Sequence, residues 1–294
     1  MNNGNGQNTV DLANSTVSAS GAGTVGGITT VNGLEQDVVW LEGSSSVATT
    51  VNASGSTGAV PGAFQPELWV VANGGSGVVN GGAQAILAFS SGNGVLSVDG
   101  GTAVGDIDVE AAGYFKSGSG GGAIMASNPL LATTLVGGGN NDVMFGIGNN
   151  TTMIAGAESQ TEASFASGGE TFEGNLGGGA STTTMDTFIS GGNQFITGNG
   201  VNNINALGGS NTFSEGVTGT AGSLSNTATI TGFDTGTDSI SLAMPGGGTY
   251  STITGGTPTA TEILVSTAGG NSTLQFGDGI TWTIVGAALG SNFH

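Results

Sequence analysis

The chemistry open to this sequence runs through oxygen. Its 294 residues carry 20 Asp and Glu against one basic residue of the Lys and Arg type, Lys116, with no Cys and a single His. Three groups of acids have a spacing that suggests a purpose. Asp142 stands in GGGNNDVMF, where a Gly- and Asn-rich turn runs into apolar residues. Asp106, Asp108 and Glu110 alternate in GDIDVE, so a strand would place all three on one face. Asp234 and Asp238 bracket an oxygen-rich turn in GFDTGTD. Carboxylates held this close repel one another unless water solvates them or a hard cation bridges them. The alternatives are a solvated strand face for the second group and, for the two turns, an Asp that bonds its own turn amides.

Catalysis has little to work with. A Ser nucleophile needs a base, and the only His is the last residue, His294. Gly-rich strings such as the one after Lys116 lack the Gly-Lys-Ser or Gly-Lys-Thr that would make a phosphate loop. Cleavage of acidic polysaccharides would call for Arg or Lys beside the substrate, and no carboxylate pair is legible. The expectation is a protein that is not an enzyme. A formal charge of −19 excludes binding to a nucleic-acid backbone and disfavours binding to an anionic membrane surface. No run reaches the roughly 18 apolar residues of a membrane span, so no membrane insertion is expected. The start, MNNGNGQNTV, has neither a basic nor an apolar signal region. Replacement of Lys and Arg by Gly, Asn, Ser and Thr suits a chain that works outside the cell.

The elements that must position these acids read as strands. Short runs rich in Val, Ile, Thr, Phe and Trp recur between Gly, Asn and Ser clusters, around Trp40, Trp69, Phe89, Val98 and Trp282, each Trp expected in the core. Two blocks share a period of nine. Gly139 and Gly148, Asn140 and Asn149, and Met144 and Met153 keep it in the first block. In the second, Gly191, Gly200 and Gly209, then Asn193, Asn202 and Asn211, then Phe195, Ile204 and Phe213 keep the same step. Nine residues make one turn and one short strand, so two units close one coil of a flattened solenoid. Gly supplies positive φ at the corners, and Asn stacks on Asn in ladders along the axis. Phe195, Ile204 and Phe213 are expected in one internal column. The fold class is therefore all-β, a parallel β-solenoid or β-roll with a C-terminal β-rich cap.

GGGNNDVMF, Gly137 to Phe145, resembles the nonapeptide of the repeats-in-toxin family, secreted bacterial proteins whose repeats form a calcium-binding β-roll. That resemblance implies Ca²⁺ held by Asp142 with carbonyls of Gly137, Gly139 and Asn140. The next unit has Thr151 where the family has Asp, and the second block has no Asp. A second resemblance lies in TATITGFDTGTDSISL, Thr227 to Leu242, which is similar to the segment following the repeats in such proteins. It implies export by a type I, ATP-driven system that reads the C-terminal region. Three regions follow: 1–130, a degenerate solenoid or β-rich region with loop insertions; 131–216, the nonapeptide-repeat solenoid; and 217–294, the cap and secretion region.

The function expected is that of a secreted structural protein whose partner is itself, assembling into filaments, a surface layer or a biofilm matrix with help from calcium. A monomeric, calcium-binding adhesive module for cell-surface polysaccharide is the alternative. If the secretion reading holds, removing residues 230–294 will keep the protein inside the producing cell. Normal export of that truncated chain, measured in the culture medium, would contradict it.

Overall fold

The computed structural model describes residues 9–11, 16–20, 30–32, 38–42, 49–52, 67–73, 76–82, 85–91, 95–102, 107–110, 112–126, 128, 130–139, 141–148, 150–166, 168–177, 181–217, 222 and 224–289. Every regular element among them is a strand. The chain is all-β and builds a parallel β-solenoid, in two compact units, Met1–Gly148 and Asn149–His294.

In the first unit, successive strands alternate between two parallel sheets. One orders Thr9–Asp11, Thr30–Asn32, Thr49–Asn52, Gly77–Asn80, Val95–Asp99, Ala112–Lys116 and Thr133–Val136. The other orders Thr16–Ser20, Val38–Glu42, Glu67–Asn73, Ala85–Ser91, Ile107–Glu110, Ala123–Ala126 and Asp142–Gly146. Each strand pairs in register with strands one coil away, so identical positions stack. Val51, Val79, Val98, Phe115 and Leu135 form one such column and are fully buried. Ile86, Ile107, Ile124 and Met144 form its counterpart in the second sheet. Polar stacking follows the same rule, as Asn80 Nδ2 donates to Asn52 Oδ1 at 2.9 Å. The one ion pair among the described residues, Lys116 to Asp99 at 3.5 Å, is exposed and contributes little.

In the second unit, Thr151–Ile154, Thr171–Glu173, Gln194–Thr197, Thr212–Glu215 and Ser239–Ile240 form one parallel stack. Opposite it lie Gln160–Ser164, Thr182–Thr187, Val201–Asn205, Thr227–Thr231 and Thr281–Val285. That second stack then turns antiparallel through Asn271–Phe276 and Glu262–Ala268, and ends on Ser251–Ile253. Tyr250, Ile263, Leu274, Phe276, Trp282 and Ile284 are buried beneath these strands as a small core of their own. Trp282 is in the core as expected, while the side chains of Trp40 and Trp69 lie outside the described residues.

The expected column of Phe195, Ile204 and Phe213 is corrected. Phe172, Phe195 and Phe213 stack with ring centroids 4.8 and 5.1 Å apart and planes within 15°. Ile204 belongs to the facing sheet, in register with Met185 and Ile230. The reason is the coil itself: a nine-residue step crosses to the other sheet, and only two such steps return to the same one. The corners use glycine as expected at Gly200 (φ 85°) and Gly209 (φ 120°), where a Cβ would collide with the carbonyls of Ser181 and Gly191.

Because Phe195 is sandwiched between two rings, Phe195→Ala leaves a cavity that its neighbours cannot close. A loss of about 3–5 kcal/mol is expected, read as a lower unfolding temperature by circular dichroism.

Candidate functional site

Asp142 opens the strand Asp142–Gly146 and is fully buried. Its Oδ2 accepts from Ser117 Oγ at 2.5 Å and from the amides of Gly138 and Gly139 at 2.8 Å, and its Oδ1 accepts from Gly122 N at 2.8 Å. Four donors match about the four lone-pair sites of a carboxylate. Two of them, Ser117 and Gly122, come from the preceding coil, so this Asp ties one turn to the next. Asn141 beside it takes φ 58°, the left-handed conformation an Asn tolerates in a tight turn. A cation here would have to displace these donors. Gly137 and Gly139 are buried in the same turn, and Asn140 lies outside the described residues.

The Asp234 and Asp238 turn is built the same way. Asp234 Oδ1 accepts from Gly236 N at 2.8 Å, and Asp238 Oδ2 accepts from Asp234 N at 2.9 Å. Asp238 Oδ1 also accepts from Asn211 N at 2.8 Å, which makes it the last rung of a ladder. Asn211 Oδ1 accepts from Asn193 N, and Asn193 Oδ1 from Glu170 N, at 3.1 and 3.2 Å. Asn193 and Asn211 thus bond side chain to backbone, whereas Asn52 and Asn80 in the first unit bond amide to amide. Burial raises the Asp238 pKa against the pull of these donors. Asp106 lies outside the described residues. Asp108 is in the strand Ile107–Glu110, aligned with Leu87 and Met125, and its side chain lies outside the description. Among the described residues no group of three or more Asp, Glu, His or Cys is gathered as a metal would require.

Sequence reading missed the acids that the solenoid buries. Glu162 stands in the inward column with Met185 and Ile204, fully buried, and neither of its carboxyl oxygens has a hydrogen-bond partner among the described residues. Burial drives its pKa well above the usual carboxylate range, and nearby Glu173 adds to the shift. Glu170 is buried by the same stacking and pushed up to about 8. Glu215 is pushed up to about 8 as well, chiefly by burial, although the Tyr250 hydroxyl donates to it at 2.5 Å. The available signal was position: each Glu falls on an inward step of its strand alternation, Glu162 level with Met185, Glu170 with Asn193 and Glu215 with Thr197.

A different set of polar residues faces outward. Thr184 and Asp186, Asn203 and Asn205, and Thr229 and Thr231 come from three consecutive coils at aligned positions. Together with the edge of Ile204 they line an open groove of about 200 Å³. None of the six side chains is engaged by a hydrogen bond from elsewhere among the described residues. Thr283 continues the central row beyond Thr229. Two residues past Asp186, Phe188 stacks on Phe165 at 4.7 Å and 7°, and both rings are about half exposed. Partial burial raises the Asp186 pKa. The turn acids therefore spend their oxygens on the fold, whereas the groove's side chains are not used by it among the described residues.

Comparison with protein-family models, with curated proteins and with solved structures found no significant match for this chain.

The buried acids set the pH dependence. Their pKa values are raised on folding, so the folded chain binds more protons than the unfolded one between pH 4.5 and about 8. The stability they allow is fully present below the unfolded value and is lost as pH rises through the folded one. Thermal unfolding is expected at a higher temperature at pH 5 than at pH 8.5, and Glu162→Gln with Glu170→Gln should flatten that dependence. An unfolding temperature that rises with pH over this window would contradict it.

Proposed function

We propose that the protein is a non-catalytic, extracellular structural protein that associates with further copies of itself through the first coil of its N-terminal unit. The observation that carries this reading is a pair of edge strands. Thr9–Asp11 and Thr16–Ser20 each pair on one side only among the described residues, with Thr30–Asn32 and Val38–Glu42. Unmatched backbone N–H and C=O groups on such an edge are a template for another strand. The last coil of the C-terminal unit is different. There the sheet switches to antiparallel hairpins over a buried aromatic cluster and ends on strands of two and three residues.

Pairing of one N-terminal edge with the same edge of a second copy is self-complementary and closes on itself. Larger filaments or layers then need contacts beyond this edge. At −19 per chain, copies repel at long range, and salt or a bridging cation relieves that repulsion. Calcium, which accepts flexible oxygen coordination, fits the bridging role better than magnesium. The scarcity of Lys and Arg and the secretion-like segment from Ile230 to Leu242 support an extracellular site of action.

The test is light scattering of the purified chain across salt and calcium titrations. Species larger than 28.2 kDa are expected, growing with ionic strength. Thr16→Glu with Ser18→Glu adds like charges to one face of the edge strand and should return the protein to a monomer. A wild-type chain that stays at 28.2 kDa in every condition would overturn the proposal.

A further inference from the structure

The outward groove carries an inference that stands independently of self-association. We propose that it binds a neutral polysaccharide chain, laid across the strands along the row Thr184, Asn203, Thr229 and Thr283. Three properties of the groove select that ligand.

The first is hydrogen-bond character. Asn203 and Asn205 each offer a carbonyl acceptor and two N–H donors, while Thr184, Thr229 and Thr231 each offer a donor and an acceptor. A sugar hydroxyl is likewise both at once, so every group in the groove finds a partner. A bare cation would use only the acceptors and would meet a single carboxylate, Asp186. The second property is charge. Asp186 stands on a chain with one basic residue, so an anionic glycan is repelled and finds no Arg or Lys to pair with. A neutral glycan meets no such barrier, and Asp186 accepts from two of its hydroxyls.

The third is periodicity beside an apolar border. Aligned residues on successive coils repeat every 4.8 Å or so, which gives a polymer of sugar rings the same contact again and again. At the end of the strands, the exposed stacked pair of Phe165 and Phe188, with exposed Leu207 nearby in sequence to Asn205, supplies apolar surface for the C–H faces of the rings. The half-exposed aromatic stack is costly to keep wet, and a sugar covers those rings while its hydroxyls replace the water on the amides and hydroxyls beside them.

Affinity electrophoresis of the full chain in gels containing hydroxyethyl cellulose, laminarin or dextran, with alginate as the acidic comparison, tests this. Retardation by at least one of the neutral polymers and none by alginate is expected. Asn203→Ala with Asn205→Ala, and separately Phe188→Ala, should weaken binding at least tenfold. The Asn pair should do so with no change in unfolding temperature, because those side chains have no hydrogen-bond partner among the described residues to lose. The edge variant Thr16→Glu with Ser18→Glu should bind as wild type does, which separates this site from self-association. Absence of retardation by every neutral polymer would overturn the proposal, and so would equal retardation by alginate. Calcium binding by calorimetry that is abolished by Asp186→Asn, in a protein that ignores all the neutral polymers, would reassign the groove to a cation.

Discussion

Everything in this protein depends on parallel backbone pairing between successive coils. A strand of four or five residues has too little apolar surface to hold itself, so its N–H and C=O groups must find the coil before and the coil after. Pairing in register then dictates what stacks on what. Where the sequence repeats an apolar residue, as at Phe172, Phe195 and Phe213, the repeat becomes a continuous column of face-to-face rings. Where it repeats glycine, the corner can take the positive φ that lets one coil sit close on another, as at Gly200 and Gly209.

The same rule explains why carboxylates divide into two kinds here. At corners, amides converge, and an Asp placed there is bonded on all sides. Asp142 collects donors from its own turn and from the coil below, and Asp238 finishes a ladder of side-chain to backbone bonds. Inside the strands there are no free donors, because every amide is spent on pairing. Glu162 falls on such a step and Glu170 directly precedes the strand Thr171–Glu173, and among the described residues their oxygens are buried without partners. Protonation is the cheaper state for them, which is why their affinity for protons rises.

On the outer face, stacking has the opposite consequence. Backbone groups there are satisfied by the sheet, so outward side chains owe nothing to the fold. Threonine suits such strands for its branched Cβ, and that preference alone would fill the face with hydroxyls. Asn203, Asn205 and Asp186 are not explained by strand preference, since all three are poor strand formers. Their gathering at aligned positions on two neighbouring coils, beside Thr229 and Thr231 of a third, is what supports reading this face as a site.

How much of this was legible in the sequence follows from range. Local patterns carried the all-β character, the nine-residue step, the inward direction of Phe195 and Phe213, and the glycine corners, because each depends on residues close together in the chain. Two such steps per coil were also readable, yet the sheet to which Ile204 belongs follows only once the coil is closed. Tertiary structure alone decided the rest. The Asp142 donors Ser117 and Gly122 lie 25 and 20 residues upstream, with loops of uneven length between them. The burial of Glu162 depends on which coil covers it, and the groove combines side chains from three coils. Coil length in this chain varies, as the 18, 23 and 27 residues between successive rungs of the Asn ladder show. A fixed period therefore shows which way a side chain points, and only the folded stack sets which side chain lies above it.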